Sequence, residues 1–174
     1  MDAPNIFIGN RKKPICNVPE MMAGNRPADG GHLIIESTYI SDFLTQEPKA
    51  QKYIRKLLGA VEFINNKDRY CLWMIGEDPA EYRKMPLVME RIEKCKQFRL
   101  SSSKAATRKY ADYPYLFMEI RQPSTTYILI PRHSSEKRRY IPFGFVESEV
   151  ISTKAGCVAA LMELCQAHAN AAKV

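Results

Sequence analysis

The chain has 174 residues, 45% of them hydrophobic, with a mean hydropathy of −0.33, which suits one domain or lobe with a buried core and leaves no run near the ~20 apolar residues of a membrane span. Its net charge is +7 and its isoelectric point about 9.2. The excess is local: between Lys94 and Tyr140, 11 Lys/Arg face only Asp112, Glu119 and Glu136, whereas the remainder carries 15 Lys/Arg against 16 Asp/Glu.

In chain order, residues 5–9 (NIFIG) read as a short strand closed by glycine, and RKKP at 11–14 as a basic turn. The opening MDAPNIFIGN has neither the basic region nor the apolar stretch of a secretory leader, so a cytoplasmic protein with no membrane partner is expected. Residues 18–31 form a loop punctuated by Pro19, Gly24, Pro27, Gly30 and Gly31, leading into a strand at 33–35. A helix is expected over 37–46, capped by Ser37 or Thr38, with Ile40, Phe43 and Leu44 on one face. Pro48 opens a second helix on the spacing of Tyr53, Ile54, Leu57 and Leu58, and Gly59 ends it. Residues 62–75 read as two strands about the turn at 65–68. The second, YCLWMI, is apolar enough to be central, with Trp73 in the core.

Asp78 and Pro79 start a short helix, and Pro86 a longer one that buries Leu87, Val88, Ile92, Cys95 and Phe98. Its other face carries Arg91, Lys94, Lys96 and Arg99. The segment SSSKAATRK at 101–109 mixes hydroxyls with cations. Strands follow at 115–121, 127–131 and 140–145, the last two separated by the polar knot of PRHSSEKRRY. From Ser152 the composition turns Ala-rich and predicts a helical tail. The fold class implied is α+β: a mixed or antiparallel sheet with flanking helices, in a single domain or lobe.

The five cysteines (Cys16, Cys71, Cys95, Cys157, Cys165) are odd in number and never form CxxC, which argues against a disulfide framework and a zinc site. His32, His133 and His168 have no partner at metal-ligand spacing. GxSxG, HExxH, GxxxxGK[ST], GxGxxG and NPPY segments are all missing, and Cys16 has no local base. An uneven basic balance is the footprint of a nucleic-acid binder; the plain alternative is a solvated basic surface. Small hydroxyls and cations at 101–109 suit phosphate oxygens. Glu136 beside Lys137, Arg138 and Arg139 is a poor phosphate contact. It fits acceptance from a cytosine amino group or orientation of a neighbouring arginine, against simple neutralisation of Lys137 or Arg139 in water, worth ~0–1 kcal/mol.

Five stretches, DAPNIFIGNRKKPICNVPEM, DGGHLII, EPKAQKYIRKLLGAVEFINNKDRYCLWM, FRLSSSKAATRKYADYPYLFMEIRQP and YILIPRHSSEKRRYIPFGF, resemble in order and wording the target recognition domain of the large single-chain adenine-N6 DNA methyltransferases of bacteria, the MmeI-type restriction–modification enzymes. The resemblance implies a recognition domain over residues 2–151, with 152–174 an Ala-rich helical tail that departs from the family pattern. It implies double-stranded DNA and the catalytic methyltransferase domain of a parent protein as partners. That domain binds S-adenosylmethionine and flips the target adenine; no cofactor is expected in this chain. The parent would be a site-specific adenine methyltransferase, with endonuclease activity in the combined enzymes. Base-reading candidates are Lys104, Ala105 and Thr107 in one stretch and Glu136, Arg138 and Tyr140 in the other. Backbone candidates are Ser102, Ser103, Arg108, Lys109, Arg121, Arg132, Ser134, Ser135, Lys137 and Arg139. No catalytic or metal residue is expected. The competing readings are a small cytosolic enzyme and an RNA-binding or protein-interaction module with a basic face.

Overall fold

A computed structural model of the chain describes residues 21–160. In chain order the elements are β1 (Met22–Ala23), β2 (Ile34–Glu36), α1 (Ile40–Gln46), a 3-10 turn (Pro48–Tyr53), β3 (Ile54–Leu58), α2 (Ala60–Asn65), β4 (Arg69–Leu72), α3 (Pro79–Tyr82), α4 (Pro86–Leu100), α5 (Ala105–Lys109), a second 3-10 turn (Tyr110–Asp112), β5 (Tyr127–Pro131), β6 (Gly144–Val146), β7 (Ile151–Ser152) and β8 (Gly156–Ala160). They form the expected α+β arrangement, with two four-stranded sheets of order β1-β8-β5-β6 and β2-β4-β3-β7. The first is antiparallel throughout, and the second has one parallel pair, β3–β7.

The sheets are stitched together by residues 151–156. β7 lies on β3 with Leu57 opposite Ile151 and Leu58 opposite Ser152. Thr153 then bridges Asn25, and the chain turns into β8. Gly24 allows this crossing: a Cβ there would sit 2.4 Å from the Thr153 carbonyl oxygen.

Beneath β2-β4-β3 lies the main core, where Leu33, Ile35, Tyr53, Leu57, Leu72 and Met74 meet Val88, Ile92 and Cys95 of α4. A smaller core gathers Tyr127, Leu129, Val146 and Val158 from the inner face of the first sheet. α4 begins at Pro86, which needs no N–H partner there. The next two donors are satisfied by the buried carboxylate of Glu47, which accepts from Leu87 N–H at 2.7 Å and Val88 N–H at 3.1 Å. An anion at this end also suits the helix dipole. The buried stripe of α4 is Val88, Ile92, Cys95 and Arg99, at i, i+4, i+7 and i+11.

Arg99 ends that stripe as a fully buried guanidinium, where the sequence pattern had placed it on the solvent face. All five of its N–H donors reach main-chain carbonyls: Nε donates to Ala28 at 3.0 Å, Nη1 to Tyr110 and Tyr113 at 3.0 and 2.8 Å, and Nη2 to Pro27 and Leu116 at 2.9 and 2.6 Å. Burial lowers its pKa from the ordinary arginine value, and Cys95 and Asp29 act in the opposite direction. Phe98, expected in the core, is exposed. Arg91 is half-buried and also structural, donating to the carbonyls of His32 and Ile34 at 3.0 and 3.1 Å.

Other departures have local causes. The spacing of Tyr53, Ile54, Leu57 and Leu58 fits a helix, yet residues 54–58 are a strand because both of their edges find partners, β4 and β7. The expected hairpin at 62–75 is α2 followed by β4. Glu62 reaches back to Gly59 N–H at 2.9 Å, and Asn66, at φ 49°, gives the helix a left-handed end. α1 starts at Ile40 behind Tyr39, with no side-chain cap from Ser37 or Thr38. Of the strand expected at 115–121, only the bridge between Arg26 and Glu119 forms, and the strand expected at 140–145 begins at Gly144. The Ala-rich stretch enters the first sheet as β8, paired with β5 and β1; backbone pairing on both edges overrides the helix preference of alanine. The strand expected at 5–9, the basic turn at 11–14, Cys16, Cys165, His168 and the tail beyond 160 lie outside the described residues.

Replacing Arg99 with methionine keeps the apolar stem and removes every donor; the carbonyls of Pro27, Tyr110 and Tyr113 keep a backbone N–H, and those of Ala28 and Leu116 must be satisfied anew. A stability loss of about 3 kcal/mol or more is expected in urea unfolding of the chain; a loss under about 1 kcal/mol would show that the carbonyls do not depend on it.

Candidate nucleic-acid interface

The hub around Arg99 fixes where the first basic stretch emerges. α4 ends at Leu100, and the chain turns through residues 101–104 into α5, whose C-terminal continuation supplies two of the carbonyls bound by Arg99. The turn is tied from within: Ser102 Oγ accepts from Lys104 N–H at 3.2 Å, and Arg108 Nη1 donates to the Ser102 and Ser103 carbonyls at 2.8 and 2.9 Å. Arg108 thus has a holding role as well as an exposed charge. Lys104, Ala105 and Lys109 are exposed, and Ser103 with them. Thr107 is different. Only 5% exposed, it turns its hydroxyl toward Met118 Sδ at 4.0 Å. It forms part of the floor beneath the stretch and does not present its side chain outward with Lys104 and Ala105.

The second stretch is the connection from β5 to β6, residues 132–143. It is rooted where Arg132 N–H donates to the Ala155 carbonyl at 2.9 Å. Farther out, Ser135 Oγ accepts from Lys137 N–H at 3.2 Å and the Ser135 carbonyl from Arg138 N–H at 3.1 Å, which makes a tight serine turn under Glu136. Ser134, Ser135, Glu136, Lys137, Arg138 and Arg139 are all exposed. Among the described residues Glu136 forms no ion pair, and neither do Lys137, Arg138 and Arg139. The neutralising role open to Glu136 in the sequence is therefore not taken up in this arrangement. Arg139 lies over the ring of Tyr140, 5.4 Å from its centroid. In the segment beyond it, expected as a strand from Tyr140, the side chains of Tyr140, Ile141, Phe143 and Phe145 are 73%, 74%, 63% and 65% exposed.

The root of the second stretch adjoins a polar stitch that sequence patterns do not reveal. Asn25 is fully buried. Its Nδ2 donates to Gln122 Oε1 at 2.8 Å and to the Ser152 carbonyl at 2.9 Å, and its Oδ1 accepts from Arg121 N–H at 2.6 Å. Gln122 Nε2 donates onward to the carbonyls of Ser148 and Val150, each at 2.9 Å. The Tyr127 hydroxyl reaches the same Val150 carbonyl at 2.7 Å, and burial raises its pKa to about 12. The Arg121 side chain is engaged by Glu119 at 2.6 Å, and the other oxygen of that carboxylate binds Arg26 at 3.0 Å.

A depression of about 340 Å³ opens beside the first stretch, between Ser102, Ser103 and Lys104 on one side and Arg26 and Lys154 on the other, with Thr107 in its wall. Arg26 and Lys154 were missed as candidates. They stand outside the basic segment in sequence and join it only through the pairing of residues 25–26 with 153 and 119. Among the described residues, no group of three or more His, Cys, Asp or Glu could hold a metal ion, and no helix is long and apolar enough to cross a membrane.

Residues 2–166 match the family described as MmeI, target recognition domain, and the chain belongs to that family. DNA methyltransferase A of Bacillus subtilis (strain 168) is similar to it, 38% identical over 153 residues that make up 86% of this chain and 17% of that protein. The solved structure of the type IIL restriction-modification enzyme MmeI in complex with DNA is similar in fold, with a TM-score of 0.85 and 43% identity over 92% of this chain and 22% of that one. The chain thus spans 17–22% of the length of these relatives.

Burial raises the Cys95 thiol to about 11 and pushes Cys71 up more strongly. A raised thiol pKa leaves little thiolate, the reactive form, at pH 8. In the folded chain, iodoacetamide at pH 8 is expected to spare Cys71 and Cys95 while urea exposes both, as read residue by residue by mass spectrometry. Prompt labelling of Cys95 without denaturant would contradict its burial.

Proposed function

We propose that this chain is the sequence-reading domain of a larger cytoplasmic adenine-N6 DNA methyltransferase of the restriction–modification type, and that it acts on double-stranded DNA. The observation that carries this is the 43% identity at a TM-score of 0.85 with MmeI, a protein solved in complex with DNA, over nearly the whole chain. The family's catalytic half would hold S-adenosylmethionine, which supplies the methyl group. Endonuclease activity goes with it if the parent is organised like MmeI. We also take the reading unit to extend beyond residue 151, because β7 and β8 are integral to the two sheets.

Chemistry divides the work between the loops. Glu136 is exposed and uncommitted, as an acceptor for a cytosine amino group must be, and Arg138 two residues on has the planar fork that matches guanine O6 and N7. The serine turn beneath Glu136 makes the pair a shaped element, and Tyr140 under Arg139 offers a flat apolar neighbour. Lys104 and Ala105 form the second reading element, one with a cation and the other with a methyl group that can meet a thymine methyl. Thr107 supports them from below. Ser102, Ser103, Arg108, Lys109, Arg121, Arg132, Ser134, Ser135, Lys137 and Arg139 hold phosphates and set the register.

The test is a specificity measurement in the full-length parent. Glu136→Lys and Arg138→Asp are expected to change or abolish the base accepted at one position of the methylated sequence, as read from the methylome of cells carrying each variant. An unchanged methylated sequence with weaker binding would move both residues to the phosphate class. The wild-type parent should prefer duplex DNA over single-stranded RNA in competition and lose affinity steeply with salt; equal competition by RNA would favour the interaction-module reading.

A further inference from the structure

We propose that Arg26 and Lys154, which sequence reading does not assign, form with the hydroxyls of Ser102 and Ser103 a seat for one backbone phosphate of the duplex, in the depression beside the first reading loop. This rests on the DNA-reading function proposed above. Its location comes from main-chain bonds. Lys154 sits in the turn between β7 and β8, and its N–H donates to the carbonyl of buried Asn25 at 2.9 Å. The next residue, Ala155, offers the carbonyl that roots the second loop at Arg132. Across the depression, Lys104 and the serines that precede it belong to the first loop. Lys154 is thus held at its backbone against the buried stitch, one residue from the root of the second loop, and lines the depression with the first loop.

The charges point to an anion. Neither Lys104 nor Lys154 has an ion-pair partner among the described residues. Arg26 shares the single carboxylate of Glu119 with Arg121, so one carboxylate serves two guanidiniums. The walls also carry the hydroxyls of Ser102 and Ser103, which suit phosphate oxygens, beside apolar Pro27, Ala28 and Phe98.

The chemistry also separates a phosphate from a base edge. The Lys154 ammonium is a point charge without a planar fork, and the one guanidinium of the lining, Arg26, is paired with Glu119. No Asn or Gln lines the depression to read adenine. Such a seat strengthens binding to every sequence alike while holding the first reading loop against the duplex backbone.

The test uses the full-length parent enzyme and fluorescence anisotropy at several salt concentrations, on its cognate duplex and on duplexes changed at one base. Lys154→Gln is expected to weaken binding to all of them by a common factor of roughly five to ten and to reduce the salt slope by about 1, with the methylated sequence and the melting temperature unchanged. Arg26→Gln, read with the melting temperature because Glu119 loses a partner, should act in the same direction, and Lys154→Arg should restore binding. An unchanged affinity and slope for Lys154→Gln, or a changed base preference, would overturn the phosphate seat while leaving the reading function in place. A wild-type parent with no affinity for duplex DNA would overturn both.

Discussion

A single guanidinium with all five N–H groups on main-chain carbonyls organises the side of this fold that carries the first basic loop. Transferring a charge into a protein interior costs several kcal/mol unless its donors are satisfied, and Arg99 satisfies every one of them on Pro27, Ala28, Tyr110, Tyr113 and Leu116. Those carbonyls belong to two segments, residues 27–28 and 110–116, that no sheet or α-helix holds. The same bonds therefore solve two problems: a buried cation and a set of buried acceptors. α5 has five residues, too few to be stable alone. It is held because its ends are, at the Arg99 carbonyls after it and at the Arg108-bound turn before it.

The second loop is anchored differently. Asn25 and Gln122 tie the crossing of three chain segments together with hydrogen bonds, and Arg132 leaves that crossing through its bond to Ala155. Beyond Arg132 the chain has only the serine turn to shape it, and its side chains lie open. Rigid roots with exposed tips are the usual arrangement for recognition: the scaffold sets position, and the loop can vary in sequence without disturbing the core. The family relationship fits this division, since a reader of different DNA sequences needs a constant frame beneath changeable side chains.

How much could be read from the sequence follows the kind of physics involved. The α+β class, the long helix after Pro86, the short one after Asp78 and the central strand at Tyr70 follow from local patterns, and all are present. The two loops stood out because their charge is concentrated and their wording resembles a known family. What escaped is set by distant partners. Residues 54–58 and 156–160 carry helix-compatible patterns, but each becomes a strand because it finds partners on both edges. Arg99 looked like another cation on a charged helix face, and only the five carbonyls, contributed from as far as 72 residues away, make it core. Arg26 and Lys154 reach the basic loops through sheet register, and Thr107 lies beneath its neighbours because one helix turn points inward.

The central claim is that one face, formed by the two loops and the depression beside the first, meets the duplex. Residue-resolved lysine acetylation of the chain, with and without random-sequence duplex at low salt, tests this most directly. The account predicts protection of Lys104, Lys109, Lys137 and Lys154 and unchanged reactivity at Lys49, Lys52 and Lys84, which line a separate groove beside α3. Protection of Lys49, Lys52 and Lys84 with the first set left reactive would contradict it.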